Sequence, residues 1–311
     1  MTITQLKYVI TVAESNSMNE AAGKLFISQP SLSAAIKELE SEIGIELFRR
    51  TNRGITVTPE GKEFIGYAKQ TVQPYELMEA KYVSKKELKK KFSVSTQHYA
   101  FAVNAFSAMV KQFGMDEYEF AIYETRTNDV IEDVKNFKSE IGILYLSDFN
   151  RKIMTKLLRT NNLVFHKLID CKPYVYLWKG HPLSKLQSIR LDQLTDYPCL
   201  SFEQGDNGSF YFSEEIFSTT EYPRTIKAND RATMLNLMVG LNGYTLCSGI
   251  ICEELNGTDY IAVPLEEEDD SAGNNMEIGY IVKKDILLSS MGELYIREID
   301  RYLKDSVKGS L

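Results

Sequence analysis

The 311-residue sequence contains few of the residues that crosslink small folds or bind metals, with four cysteines and three histidines. Cys171, Cys199, Cys247 and Cys252 show neither the C-x-x-C pairs of a zinc site nor the density of a disulfide scaffold. The histidines lie far apart, and there is no G-x-S-x-G, Walker or H-E-x-x-H motif. We therefore expect no metal site and no cofactor, and an enzyme would lack a candidate nucleophile or base.

Long apolar runs are also absent. No stretch reaches the roughly 20 apolar residues that span a bilayer, and the N-terminus lacks a basic segment followed by an apolar block and a cleavage site. The sequence thus predicts a cytoplasmic protein with no membrane partner. Its 43% apolar content is enough for a sizeable core, and its length predicts two or three domains.

Charge is distributed unevenly along the chain, whose net charge is −7. Residues 1–92 carry 14 lysines and arginines against 11 acidic residues, whereas residues 93–311 carry 22 against 32. This difference in sign indicates an N-terminal module that can approach phosphates and an acidic body that does not.

Three helix patterns in the first 44 residues share one small core. The first, near residues 4–14, has an apolar stripe, and the second begins at a predicted capping box formed by Ser17 and Glu20. The third has Ser28 as its N-cap, Pro30 in its first turn and Gly44 at its end. Its buried face consists of Leu32, Ile36, Leu39 and Ile43.

The opposite face of the third helix carries small polar residues around Pro30, Ala34 and Lys37. Such a face can approach another surface closely, and the free N–H groups of the first turn attract phosphate, which suits a DNA major groove. Any short helical hairpin, however, also needs caps and an apolar stripe. The segment LFRRTNRGITVTPEG at 47–61 strengthens the DNA-binding reading, because it predicts a wing with arginines around a turn.

The chain closely resembles the LysR-type transcriptional regulators. The matching positions are Ala21-Ala22, Leu25, SQPSLS at 28–33, Ile36, Leu39-Glu40, Gly44, Leu47-Phe48, Arg50 and TPEG at 58–61, with HPL at 181–183 as a looser match. The resemblance implies a non-enzymatic regulator that binds an operator of two half-sites in double-stranded DNA. It also implies a set of DNA contacts, which are Ser28, Gln29, Pro30, Ser31, Ser33, Lys37, Arg50 and Arg53. Ala34 departs from the long polar side chain often found there, so base readout at this position is in doubt.

A long helix pattern follows the wing. Thr58 caps it, Pro59 opens it, and its apolar stripe comprises Phe64, Ala68, Val72, Tyr75, Met78 and Tyr82. We interpret residues 59–91 as a linker helix and hinge that pairs two subunits in a homodimer or homotetramer; the alternative is a helix packed on the body of its own chain. Pro74 is expected to bend this helix. The run KKELKKK at 85–91 is either a solvated hinge or a second phosphate-binding patch.

Beyond residue 92, strand and helix patterns alternate, which predicts parallel sheets covered by helices. The predicted fold class is α/β with an all-α N-terminal part: a winged helix-turn-helix (1–58), the linker helix and a two-lobed α/β domain (92–311). The resemblance implies that this domain is periplasmic-binding-protein-like and binds an effector. We assign lobe I to 92–162 and 270–311 and lobe II to 163–269, with crossovers near 160–165 and 265–276 and a helix around 211–217.

A cleft between two such lobes predicts a site for a small-molecule effector. Ser95, Thr96 and Gln97 follow the first strand, where hydroxyls and free N–H groups favour an anion, and His98 is either a further ligand or a plain helix-start residue. By resemblance, the walls would include Thr125, Thr127, Tyr145, Phe202 and Glu203, although helix caps also explain the threonines. Glu203 would turn away, pair with Arg126 or Arg231, or face an amine. The effector is then an anion, an amino acid or a sulfur compound, and a thiol-based redox sensor remains an alternative to buried structural cysteines.

Overall fold

The computed structural model describes residues 1–51, 54–79, 82–83, 89–113, 117–205, 209–266 and 275–308. The chain forms two compact units, Met1–Lys90 and Lys91–Leu311. We refer to them as the N-terminal and C-terminal units and describe each by itself.

Three helices form the core of the N-terminal unit: α1 (Ile3–Ala13), α2 (Met18–Lys24) and α3 (Gln29–Ile43). The predicted N-caps are confirmed, because the Ser17 Oγ accepts from the Glu20 N–H at 3.1 Å and the Ser28 Oγ accepts from the Ser31 N–H at 3.2 Å. The predicted reciprocal bond of the capping box is wrong, since Glu20 accepts instead from the Asn16 N–H at 2.9 Å. Gly44 ends α3 with φ +70°.

The wing is an antiparallel hairpin of β1 (Phe48–Thr51) and β2 (Gly54–Val57), with Phe48 opposite Val57. It is fixed to α3 by the half-buried Glu40, whose Oε1 accepts from the N–H groups of Leu47 at 2.7 Å and Phe48 at 3.1 Å. This side chain joins α3 to the first strand of the wing.

Helix α4 (Pro59–Glu79) follows the wing and continues through Pro74. The buried Thr58 starts it, accepting from the Gly61 N–H at 2.8 Å and donating to the Glu46 carbonyl at 2.6 Å. The first half of its apolar stripe packs against α1 in a cluster of Leu6, Ala68 and Val72, with Phe64 beside it. This half of the stripe is therefore buried against the first helix of the same N-terminal unit. In contrast, Met78 and Tyr82 are 54% and 72% exposed.

The C-terminal unit alternates strands and helices. In chain order its elements are β3 (Lys90–Thr96), α5 (Ala100–Lys111), β4 (Tyr118–Glu124), α6 (Thr127–Lys135), β5 (Ile141–Ser147), α7 (Arg151–Thr160), β6 (Leu163–Cys171), β7 (Tyr174–Trp178), β8 (Cys199–Phe202), β9 (Thr225–Ala228), α8 (Arg231–Leu241), β10 (Thr245–Cys247), α9 (Glu253–Asn256), β11 (Tyr260–Pro264), β12 (Met276–Lys283) and α10 (Ser290–Lys308). Within the described ranges, no helix is both long enough and apolar enough to cross a membrane.

The sheets of this unit are mixed, whereas the sequence predicted parallel ones. Lobe I is built on a five-stranded sheet in the order β4-β3-β5-β12-β6, in which β3 and β5 are parallel and β12 runs antiparallel to both of its neighbours. Lobe II contains the antiparallel sheet β10-β7-β11 and the parallel pair β8-β9. A large apolar core includes the buried residues Val94, Phe101, Ile143, Tyr295 and Ile299.

The boundary between the lobes differs from the predicted one. We expected the strand beginning at Leu163 to open lobe II, but β6 pairs with β12 along its whole length and so belongs to lobe I. The first crossover therefore lies between Cys171 and Tyr174, and the return lies between Pro264 and Met276. The sequence of β6 carries no local signal of which sheet it joins, because its pairing partner β12 begins more than 100 residues later.

The predicted helix around 211–217 is also wrong. The segment forms a 3₁₀ turn at Phe210–Phe212 followed by bends and turns. Its two carboxylates are engaged elsewhere in the fold, since Glu214 accepts from the His98 N–H at 2.9 Å and Glu215 accepts from the Phe202 N–H at 2.8 Å. Both glutamates are 8% exposed. Tertiary hydrogen bonds thus determine this segment rather than helical periodicity.

Candidate DNA-binding and ligand-binding sites

The outer face of α3 is exposed and carries no large apolar side chain. Pro30, Ser31, Ala34 and Lys37 are exposed there, while Leu32, Ile36 and Leu39 are buried on the opposite face. The Ser28 N-cap fixes the start of the helix, so the N–H groups of the first turn lie beside these short side chains. This geometry allows a second surface to come close to the helix along its length.

Polar side chains on this face bond to one another. The Ser28 and Ser31 hydroxyls are 2.7 Å apart, and the Gln29 Nε2 donates to the Ser33 Oγ at 2.7 Å. These are local bonds between neighbouring turns, which base edges or phosphate oxygens can replace without exposing a buried group. The structure therefore brings the predicted contact residues of α3 together on one accessible face.

The predicted basic residues of the wing are only partly described. Arg50 lies in β1, paired in register with Ile55, and Arg53 lies outside the described residues. Arg49 is exposed and forms an ion pair with Glu46 at 3.2 Å. The role of Arg50 and Arg53 in holding phosphates stays a prediction.

Ser95, Thr96 and Gln97, the predicted anion site, are fully buried with their side chains bonded inside the protein. The Ser95 Oγ donates to Asp133 at 2.6 Å, and the Thr96 Oγ1 donates to the Gln97 carbonyl at 2.7 Å. The Gln97 Nε2 donates to the Thr127 Oγ1 at 2.5 Å. These side chains fix the strand ends rather than line a cavity.

A cavity of about 90 Å³ lies in the C-terminal unit and is lined mainly by apolar side chains from lobe II. His98 and Phe202 are the two predicted site residues that line it. The sequence reasoning missed its other walls, which include Tyr176, Glu214, Arg231, Met234, Met238 and Thr245. The methionine spacing on α8 indicated a buried face, but nothing in the sequence showed that this face borders a cavity.

Ion pairs and stacking fix the polar rim of this cavity. The His98 ring stacks on Phe202 with centroids 3.8 Å apart, and its Nδ1 lies 2.9 Å from a Glu214 carboxylate oxygen. Arg231 pairs with Glu124 at 2.8 Å. Burial, reinforced by the neighbouring Glu214, raises the pKa of Glu215 to about 8.

The remaining predicted wall residues lie away from this cavity. The Tyr145 hydroxyl is buried and donates to the Glu215 carbonyl at 3.1 Å, and the Thr125 Oγ1 donates to Asp129 at 3.3 Å. Glu203 turns away, pairing with Lys227 at 3.3 Å rather than with Arg126 or Arg231. Its bond from the Gly205 N–H lowers the pKa of Glu203.

Three of the four cysteines are poorly suited to redox chemistry. Burial raises the pKa of three thiols to about 12, those of Cys171, Cys199 and Cys247. Since the thiolate is the reactive form, such thiols are inert at neutral pH. Across the described ranges, no group of three or more histidine, cysteine, aspartate or glutamate side chains could hold a metal ion.

A winged helix-turn-helix with an open third helix, joined in one chain to a two-lobed α/β unit that contains a cavity, defines the class of ligand-responsive DNA-binding regulators. Comparison with known proteins gives the family. Residues 3–62 match the bacterial regulatory helix-turn-helix protein, lysR family, and residues 104–302 match the LysR substrate binding domain. The chain belongs to the LysR family of transcriptional regulators, and it is therefore a DNA-binding regulator rather than an enzyme.

Similar proteins agree over most of the chain. The uncharacterized HTH-type transcriptional regulator YbhD of Escherichia coli is 23% identical over 94% of this chain and 89% of its own length. The regulator BsdA of Bacillus subtilis is 25% identical, with 76% and 80% covered. Among solved structures, full-length OxyR C199D from Pseudomonas aeruginosa is 18% identical with a TM-score of 0.62, covering 96% of this chain and 98% of that one.

Proposed function

We propose that this regulator acts as a homodimer or homotetramer that inserts the exposed face of α3 into the major groove at two operator half-sites. Ser31, Ser33 and Lys37 read bases or adjacent phosphates, and the wing arginines hold the backbone. The single observation that carries this proposal is the accessible, small and polar face of α3, opposite a buried face of leucine and isoleucine.

The exposed second half of the α4 stripe supports the oligomer. Met78 on α4 and Tyr82, which follows the helix in the sequence, have exposed side chains, while the first half of the same stripe is already buried in its own chain. A partner helix would cover these side chains, and a two-fold pair of recognition helices matches two half-sites.

In the C-terminal unit, a small molecule bound in the cavity beside His98 and Phe202 serves as the effector. The two lobes that meet there can adopt more than one arrangement, and a ligand with different affinities for them shifts their populations. The cavity walls, which are contributed by several separate strands and helices, support this role.

The DNA-binding part is tested by replacing Lys37 with alanine. We expect a roughly 10-fold loss of affinity for the promoter fragment that the wild type binds, and a salt dependence shallower by about one ion. Fluorescence anisotropy with labelled fragments measures both quantities. Lys111→Ala, which removes the same charge from an exposed site on α5, is the matched control. If Lys37→Ala bound the promoter fragment with unchanged affinity, α3 would not be part of the DNA-binding interface.

A further inference from the structure

The walls of the cavity beside His98 and Phe202 are mainly hydrocarbon and sulfur. Side chains of Met234, Met238 and Leu246 line it together with the aromatic rings of Tyr176 and Phe202. Its volume is about 90 Å³. A cavity of this size admits only a small, compact molecule.

Arg231 and Glu214, two ionisable groups at the rim, already have partners within the protein. Arg231 contacts both oxygens of Glu124, at 2.8 and 3.2 Å, and also donates to the Asn256 side chain at 3.3 Å. Glu214 accepts from the His98 N–H at 2.9 Å and lies 2.9 Å from the His98 Nδ1. The Glu214 carboxylate thus accepts from the N–H group just before α5, at the place where the sequence predicted a ligand anion.

The remaining carboxyl group at the cavity, that of Glu215, offers no positive charge to a ligand. Glu215 is 8% exposed and accepts from the Phe202 N–H, and burial keeps its pKa high. A ligand carboxylate would have to displace Glu124 or Glu214 from its partner or remain unpaired in an apolar site. Either event leaves a buried charge without compensation, which costs more than burying a few carbon atoms returns.

One polar group of the cavity wall lacks a partner. Thr245, in the outer strand β10 of the three-stranded sheet of lobe II, is 6% exposed, and its Oγ1 has no hydrogen-bond partner among the residues that the structure describes. Within the described residues, the other buried side-chain atom without a hydrogen-bond partner is an oxygen of Glu124, which belongs to the ion pair with Arg231. A hydroxyl or amide on a ligand would satisfy Thr245, because a hydroxyl can both donate and accept.

From these observations we propose that the effector is an uncharged, compact apolar molecule with one hydrogen-bonding head group, and that this head group bonds to the Thr245 hydroxyl. This inference rests on the proposed function, in which the cavity is the effector site. It excludes the carboxylates that the anion site expected from the sequence would have favoured.

Three probes of one shape and different charge test the proposal on the full chain: isopentanol, isovalerate and isopentylamine. Isothermal titration should show binding of isopentanol, with isovalerate and isopentylamine weaker by about 10-fold or more. Thr245→Val, which keeps the shape and removes the hydroxyl, should weaken isopentanol binding about 10-fold, whereas Thr245→Ser, which keeps the hydroxyl, should bind within about 3-fold of wild type. Thr219→Val, at an exposed turn, is the control for the substitution itself.

Isovalerate or isopentylamine binding as tightly as isopentanol would overturn the proposal, as would wild-type affinity in Thr245→Val or no binding of isopentanol at millimolar concentrations. Fluorescence of Trp178, the single tryptophan, verifies that each variant is folded. Operator binding is measured on the same preparations. If the probes fail while operator binding persists, only the ligand assignment is wrong; if operator binding is absent as well, the proposed function itself fails.

Discussion

The carboxyl group of Glu215 makes the stability of the C-terminal unit depend on pH. Burial is the main cause that raises its pKa from 4.5 to about 8, and the neighbouring Glu214 adds to it, while the bond from the Phe202 N–H opposes the rise. Unfolding returns the group to water. Between pH 4.5 and 8, the native state therefore retains a proton that the unfolded state has lost.

The sign and size of the effect follow from that proton. The contribution of this proton to the free energy of unfolding is fully present below pH 4.5. It falls as pH rises through the interval and is lost above about pH 8. Each pH unit lowers the free energy of unfolding by about 1.4 kcal/mol, so the whole interval corresponds to a loss of about 5 kcal/mol.

Glu215→Gln isolates this contribution, because glutamine keeps an oxygen that can accept from the Phe202 N–H and carries no charge at any pH. We expect the variant to gain stability over wild type progressively from pH 5 to pH 8, by about 1.4 kcal/mol per pH unit. Urea unfolding followed by Trp178 fluorescence measures the difference, and Glu221→Gln at an exposed position is the control. If the stability curves of Glu215→Gln and wild type ran parallel over this range, the buried carboxyl would be ionised throughout and the reasoning refuted.

Two further predictions concern the close packing of each unit. A Cβ on Gly61 would lie 2.3 Å from the Leu47 carbonyl oxygen, so Gly61→Ala should destabilise the N-terminal unit by about 2–3 kcal/mol, whereas Gly23→Ala, with nothing within 4 Å, should be neutral or stabilising. Thermal melts followed by circular dichroism would show this, and equal melting temperatures would contradict it. In the native protein at pH 8, an aromatic disulfide reagent should modify the thiols of Cys171, Cys199 and Cys252 far more slowly than in denaturant; rapid modification would contradict the burial of these three residues.

Local chemistry explains why the N-terminal unit was predictable. A serine N-cap acts on an N–H three residues away, as Ser17 and Ser28 do, and Gly44 ends α3 through its own backbone geometry. Such signals lie within a few residues of the structure that they determine. The departures here are equally local: Glu20 bonds one residue earlier than the capping box predicts.

The C-terminal unit depends on partners that are distant in the sequence. Whether β6 joins lobe I or lobe II is decided by its pairing with β12, which no pattern within residues 163–171 reveals. The same holds for Glu214 and Glu215, whose backbone partners at His98 and Phe202 hold the segment out of a helix. Hydrophobic periodicity therefore predicted the strands and most helices of this unit but not their arrangement.

This distinction also decides what can be inferred about a ligand. A strand end followed by a helix start indicates an anion site only if its N–H groups remain free, and here the N–H of His98 is bonded to a carboxylate 116 residues away in the sequence. The groups that matter for recognition are those whose hydrogen bonds the fold leaves unmade, because only these gain a partner when a ligand enters. In the cavity of the C-terminal unit that group is the hydroxyl of Thr245 on an apolar wall, which makes the preferred head group of the effector a question of hydrogen bonding rather than of charge.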